Sequence, residues 1–268
     1  MTSLRPKDRS TRSLPARWLI TIAATAAALL LLLPASAIGS RAGAAGVSSH
    51  AAKKRAYPYR YLLTDAKVGH WAVVLRNVAA RRQPKASSAV VTMLGPITSY
   101  GTQNLVLIVD GLDVSPQQTW YKVRLAILPN NSTGWVPRSA LGYVYAVHTH
   151  LYVNRSTFTA TLKRDGRTVF TTRVGVGHSY WPTPAGQFYI REKLTGFTSP
   201  IYGPLAFGTS ARSNVLTDWP GGGFIGVHGT NEPQILPGAV SHGCIRMLND
   251  AILRLAKLMN VGTPLTVT

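Results

Sequence analysis

Gly223-Phe224-Ile225-Gly226-Val227-His228-Gly229-Thr230-Asn231 and, further along, Val240-Ser241-His242-Gly243-Cys244-Ile245-Arg246-Met247 are the stretches on which the reading of this chain turns. The first is an apolar strand that ends on a histidine. The second carries the only cysteine among 268 residues. An unpaired thiol is an oxidation liability outside the cytoplasm, where proteins pair their cysteines or lack them. A buried cysteine does serve elsewhere as a small apolar side chain. Here glycine and histidine precede the thiol and Arg246 follows it, an open, electropositive setting of the kind that favours a thiolate. Cys244 therefore reads as a nucleophile.

A thiol of ordinary acidity is only a few per cent thiolate at neutral pH, so it needs a base nearby. His228 is favoured, because nucleophile and base usually come from separate elements that fix their distance. His242, two residues before the cysteine, is expected to orient the site or bond the backbone, with a purely structural role as the alternative. Gly243 lets the main chain come close to a substrate. Its N–H, with those of His242 and Cys244, could hold the oxyanion of a tetrahedral intermediate. Arg246 has the forked donor geometry that suits a carboxylate, or it forms a salt bridge, for instance with Asp250. His228, His242 and Cys244, with His178, could instead ligate zinc. No paired Cys-x-x-Cys or His-x-x-x-His spacing accompanies them, and neither a metal nor a cofactor is expected.

The residues around this pair point to a mostly β chain. From Asp65 to Tyr145, short strand signals alternate with Gly, Pro, Asn and Ser: Trp71–Leu75, Leu105–Val109, Trp120–Leu125 and Gly134–Leu141. A region of that size built from small strands suits a compact barrel. Asn130-Asn131-Ser132-Thr133 matches a glycosylation sequon but reads as a turn. A second β-rich unit runs over 146–268. There Thr157–Lys163 and Thr168–Val174 flank Asp165-Gly166, a strong hairpin turn. Gly186–Ile190 and Gly223–Val227 are further strands. One helix follows late, capped by Asn249 or Asp250, with Leu248, Ile252, Leu255 and Leu258/Met259 on one face and Gly262 and Pro264 as stops. Thr195 to Asp218, rich in Gly, Ser and Pro, is a candidate lid. Gly221-Gly222-Gly223 reads as a flexible turn rather than a phosphate loop.

The amino-terminal 37 residues read as a targeting segment. Arg5, Lys7, Arg9, Arg12 and Arg17 form a basic head, an uncharged run from Trp18 ends in leucines, and Ala35-Ser36-Ala37 resembles a cleavage site. Extended to Ile38, the run reaches about 21 residues, enough to cross a bilayer. Signal peptide and membrane anchor both stay open, and either exports the remainder to the cell wall or the outer face of the cytoplasmic membrane. Residues 38–64, rich in Ala, Gly, Ser, Lys and Arg, are expected to be a flexible linker. The whole chain has 29 Lys+Arg against 9 Asp+Glu. Such an excess suits an acidic partner, and for an exported chain that means anionic wall polymers or lipid head groups. Nucleic acid is excluded by the export signal and by the lack of a basic aromatic face or a recognition helix. The membrane is expected to be met only through the amino-terminal segment.

His228-Gly229-Thr230-Asn231, then Ser241-His242-Gly243-Cys244-Ile245-Arg246-Met247 and Asn249, resemble the signature of the L,D-transpeptidase (YkuD-like) catalytic domain. Trp181-Pro182-Thr183-Pro184-Ala185-Gly186-Gln187-Phe188-Tyr189-Ile190 is similar to its Thr-Pro-x-Gly-x-Phe strand, with Gln187 where many relatives carry a small polar residue. Trp120–Val123 and Gly134–Pro137 resemble bacterial SH3-like domains. The expected fold is thus a small SH3-like barrel over 65–145, followed by an L,D-transpeptidase domain over 146–268. The resemblance implies Cys244 as nucleophile and His228 as proton carrier. Ser241, His242 and Gly243 would orient the site or hold the oxyanion, and Arg246, Gly229 and Thr230 would bind substrate. It further implies peptidoglycan stem peptides as substrates and a cysteine thioester resolved into a 3→3 cross-link. Acylation of Cys244 by carbapenems is implied too. A thiol peptidase of the L,D-carboxypeptidase type and an inactive wall-binding protein are the rival readings.

Overall fold

The computed structural model describes residues 56–217 and 222–268. The targeting segment, most of the expected linker, Asp218 of the expected lid and Gly221 lie outside them. Strands dominate, and α1 (Asn249–Leu258) is the only α-helix among the described residues. It is not long and apolar enough to cross a membrane.

The first sheet comprises β1 (Tyr59–Leu62), β2 (Gly69–Val73), β3 (Val78–Arg81), β4 (Val90–Leu94), β5 (Leu105–Ser115), β6 (Gln118–Arg124), β7 (Thr133–Pro137) and β8 (Tyr145–Val147). Its order is β4-β3-β7-β6-β5-β2-β8, with β1 also paired to β5. Ala72, Val74, Val106, Ile108, Val123, Leu125 and Val136 form its core. The expected linker is shorter than its bounds, because β1 lies inside it. Tyr59–Leu62 pairs antiparallel with Asp110–Asp113, and Arg60 Nε donates to Asp110 at 2.7 Å. Alternating tyrosines give the segment a strand pattern that its basic surroundings hide.

The second sheet holds β9 (Thr149–Asn154), β10 (Thr159–Arg164), β11 (Arg167–Arg173), β12 (Gly175–Gly177), β13 (Gly186–Leu194), β14 (Ala206–Arg212), β15 (Phe224–His228), β16 (Gly238–Ser241), β17 (Ile245–Arg246) and β18 (Pro264–Val267). Its order is β11-β10-β9-β18-β13-β14-β15-β17-β12-β16. The β10–β11 hairpin turns at Asp165 and Gly166, whose φ of 50° and 80° are the left-handed pair that a two-residue turn requires. The expected lid is corrected here. β14, in its middle, is an interior strand between β13 and β15, with Ala206, Phe207 and Thr209–Ala211 buried. Its Gly-Ser content misled, because small residues are what close packing between neighbouring strands uses.

The helix buries Ala251, Ile252 and Leu255, with Met259 just beyond it, against the core of the second sheet. Two helix expectations fail. Leu248, at the amino-terminal boundary, has extended backbone (ψ 146°) and is 46% exposed, because a residue outside the helix does not follow its periodicity. Asn249 and Asp250 do not cap, since they fall one and two positions too late.

Both sheets belong to one compact unit. Leu105 and Leu107 of β5 pack with Tyr189 of β13 in a shared cluster, and Tyr189 Oη donates to the Leu105 carbonyl at 3.2 Å. The sequon region is part of this junction. Asn131 Oδ1 accepts the Gln187 N–H at 2.6 Å, and Asn130 exchanges hydrogen bonds with the Arg212 backbone at 2.7 and 2.9 Å.

Candidate active site

β15 and β17 run parallel, with Val227 opposite Ile245 and His228 opposite Arg246. Side chains alternate along a strand, so Gly226 and His228 share one face. A Cβ placed at Gly226 would lie 3.9 Å from Cys244 Sγ and 3.7 Å from His228 Cδ2. Thiol and imidazole thus border the same small space. The Gly226 N–H donates to Cys244 Sγ at 3.3 Å.

The histidine is held in one tautomer. His228 Nδ1 lies 2.6 Å from the Gly229 carbonyl; a carbonyl only accepts, so Nδ1 carries the proton and Nε2 keeps its lone pair. Only 3% of His228 is exposed. Burial pushes its pKa down to about 4, against the Gly229 hydrogen bond and with help from Arg246. The ring is neutral at neutral pH, with the Nε2 lone pair as its proton acceptor. Tyr202 packs edge-on to it at 5.2 Å.

The resting thiol differs from expectation. Cys244 keeps part of its surface open, yet burial raises its pKa, opposed by the Gly226 N–H and the Arg246 charge. The sequence pattern suggests a thiolate because glycine and arginine are adjacent in the chain. Folding encloses the sulfur more than that pattern shows, so a neutral thiol faces a neutral imidazole.

The loop between them is knotted from within. Ser241 is buried, donates to the Cys244 carbonyl at 2.5 Å and accepts the Gly243 N–H at 3.1 Å. Thr183 donates to the Gly243 carbonyl at 2.7 Å and accepts the Gly177 N–H at 2.8 Å. Gly243 has φ 114°, which favours glycine. Its N–H is already used by Ser241, so the expected oxyanion role of that N–H is corrected: Gly243 shapes the loop. Ser241 acts as the brace. Thr183 is the residue that sequence reasoning left without a task. Its signal was present in the Trp181–Ile190 motif, but a single hydroxyl bridging two distant loops leaves no spacing to read.

The remaining expected site residues separate. His242 is exposed and stacks on Trp181 at 4.2 Å, with the His178 ring 5.9 Å away. Its pKa is lowered, first by burial, then by His178 and Arg246. Arg246 reaches Glu232 at 3.2 Å, not Asp250, and its Nε has no partner. Gly229 and Thr230 do not line the space around the thiol. The Gly229 carbonyl fixes His228. The Thr230 N–H goes to Asn249 Oδ1 at 2.9 Å, and the Thr230 hydroxyl accepts from Glu232. They are supports rather than substrate contacts, and Asn249 spends its side chain on them. Among the described residues no group of three His, Cys, Asp or Glu is placed to hold a metal.

Two cavities open onto Cys244. One is lined by Ile201, Tyr202, Ser213, Leu216, His242 and Arg246. The other is lined by Tyr100, Leu194, Phe197, Tyr202, Phe207 and Gly208. Phe224, Ile225, His228 and Cys244 border both. Gly223, expected to flex, closes tightly on Leu216.

The arrangement matches known proteins. Residues 148–267 fit the model of the YkuD L,D-transpeptidase catalytic domain. The YkuD protein of Bacillus subtilis strain 168, described as an L,D-transpeptidase, is 32% identical over 123 residues, 46% of this chain and 68% of that protein. Its Bacillus licheniformis counterpart is 33% identical over 110 residues, 41% of this chain and 59% of that protein. The solution structure of the catalytic domain of the Enterococcus faecium L,D-transpeptidase is 24% identical, covering 45% of this chain and 96% of that one, with a TM-score of 0.34. Together with the histidine, the cysteine and the motifs that hold them, the family model and the Bacillus subtilis relative place this chain in the L,D-transpeptidase family of acyl-transferring enzymes.

Proposed function

We propose that the chain is a peptidoglycan L,D-transpeptidase, exported by its amino-terminal segment, that forms 3→3 cross-links through a Cys244 thioester. The observation that carries this reading is the meeting of the Cys244 sulfur and the His228 ring at Gly226, where two cavities join. A two-substrate acyl transfer needs a thiol that can be approached again while it is acylated.

In the first step the thiol attacks the carbonyl between the third residue and the terminal D-alanine of a donor tetrapeptide. The proton passes to His228 Nε2 as the S–C bond forms, so the thiolate arises only during attack. The Gly226 N–H and Arg246 stabilise the developing negative charge on sulfur, and the Cys244 amide takes the oxyanion. The tetrahedral intermediate collapses to a thioester, and His228 returns the proton to the departing amine. In the second step the side-chain amine of another stem peptide attacks the thioester. His228 takes its proton and gives it to the leaving sulfur. Arg246, with donors to spare, grips a carboxylate of the donor.

The basic excess over the exported part suits anionic wall polymers, and the first sheet, read as SH3-like, suits a wall-binding module. The test is incubation of the chain with a disaccharide tetrapeptide, followed by intact-protein and product mass spectrometry. An adduct on Cys244 and a cross-linked dimer are expected. Tripeptide alone would mean hydrolysis, and no adduct with substrate or carbapenem would mean that the site is inactive.

A further inference from the structure

The second cavity is not built by the catalytic sheet alone. Tyr100 sits on the connection between β4 and β5, in the first sheet, yet it lines this cavity with Phe197, Tyr202, Gly208 and Cys244. The connection is cross-braced. The Thr98 N–H bonds the Thr102 carbonyl at 2.8 Å, the Gly101 N–H bonds the Thr98 carbonyl at 3.0 Å, and the two threonine hydroxyls meet at 2.8 Å. The Tyr100 N–H donates to Thr98 Oγ1 at 3.2 Å. An exposed loop tip tied in this way presents its side chain in one place. Burial raises the Tyr100 pKa, with help from Glu192 and against Arg191, so the phenol stays protonated.

The two cavities differ in chemistry. The one with Arg246 and His242 offers donors, which match a carboxylate. The one with Tyr100 offers aromatic faces and a phenol, and apart from the shared, neutral His228 its lining holds no basic side chain. Aromatic faces and hydroxyl oxygens suit an amine-bearing chain. Resting on the reading of Cys244 as a transpeptidase nucleophile, we propose that Tyr100 is a positioning residue for the acyl acceptor, holding the amine-bearing side chain of the second stem peptide beside the thioester. The first sheet would then complete the active site as well as any wall-binding surface.

The test compares Tyr100→Ala and Tyr100→Phe with the wild type in the full chain, separating two half-reactions. Thioester formation is followed by mass spectrometry with a disaccharide tetrapeptide donor. Its aminolysis is followed by titrating a tetrapeptide acceptor. Tyr100→Ala is expected to raise the acceptor KM for aminolysis about tenfold, the size of one lost aromatic contact. That effect should exceed its effect on thioester formation severalfold, with Tyr100→Phe intermediate. A thermal melt matching the wild type confirms that the loop change leaves the fold intact. Equal slowing of both half-reactions, or no change in either, overturns the proposal. A wild-type chain that never forms a thioester overturns the reading of Cys244 and, with it, this role for Tyr100.

Discussion

The two sheets spend their polar side chains differently. In the eight-stranded sheet they hold strands to strands. Thr64 donates to the Ile108 carbonyl at 2.6 Å and accepts the His70 N–H at 2.9 Å, and Thr119 reaches Asp113 at 2.7 Å. In the ten-stranded sheet some do the same, as Thr209 does to the Ile225 carbonyl, but others hold a loop. Thr183 and Asn249 bridge segments far apart in the chain, Ser241 closes its own turn, and all three converge on the backbone around Cys244 and His228. A buried hydroxyl making two hydrogen bonds stabilises either sheet by a similar amount. Only in the second does it also set where a reactive atom stands, so local stability and catalytic geometry are coupled there and separable in the first sheet.

The comparison breaks most sharply at the sulfur itself. Cys244→Ala should lower cross-linking about a thousandfold or more, as loss of a nucleophile does in other acyl-transferring enzymes, with little change in thermal stability. A melt and a product assay on one preparation check both.

Next comes pH, where two buried histidines make the second sheet the sensitive one. His228 and His150 are each pushed down to about 4, chiefly by burial. The unfolded chain takes up these protons near pH 6.5 and the folded chain only near 4. Their contribution is therefore full above pH 6.5, falls between 6.5 and 4, and levels off below. Each histidine is worth on the order of 3 kcal/mol over that window. Urea midpoints at pH 7 and pH 4.5 should differ for the wild type, and by roughly half as much for His150→Gln. Because His228 stays neutral, the acid limb of thioester formation should also lie near pH 4 rather than 6.5, as a stopped-flow profile would show.

Thr183→Val and Thr64→Val form the sharpest pair. Each removes a hydroxyl with two backbone partners, at a cost of about 2 kcal/mol in stability. Thr183→Val should also slow carbapenem acylation of Cys244 by about tenfold, whereas Thr64→Val should leave it alone. Equal effects on acylation would erase the distinction between the sheets. The smallest effect belongs to their junction. Asn131→Ala frees the Gln187 N–H and should cost about 1 kcal/mol, read as a lower melting temperature.

Much of the second sheet was legible in the chain. Asp165-Gly166 announced its hairpin, apolar runs marked β13 and β15, and the spacing of Ile252 and Leu255 gave the helix. His228 and Cys244 stood out because their residue types carry chemistry wherever they fall. What stayed hidden depends on partners far apart in sequence. Nothing near Thr183 mentions Gly243, and nothing near Tyr100 mentions Cys244. Thr195–Asp218 read as loop because β14 uses small residues to approach β13 and β15 closely. The thiol's acidity was hidden for a related reason: its neighbours in the chain are basic and open, while its neighbours in space enclose it.

β9 and β18 lie side by side in the interior of the second sheet, and Thr149 bonds Thr263 across 114 residues of chain. Contacts so distant in sequence are made late and slowly, since a long loop must close before they give anything back. The β9–β18 seam is therefore expected to close after the β9–β10–β11 hairpins beside it. Until then β9 and β13 present open edges, a template for pairing with other chains. Conditions that slow this closure should drive the protein toward aggregation before they touch its chemistry.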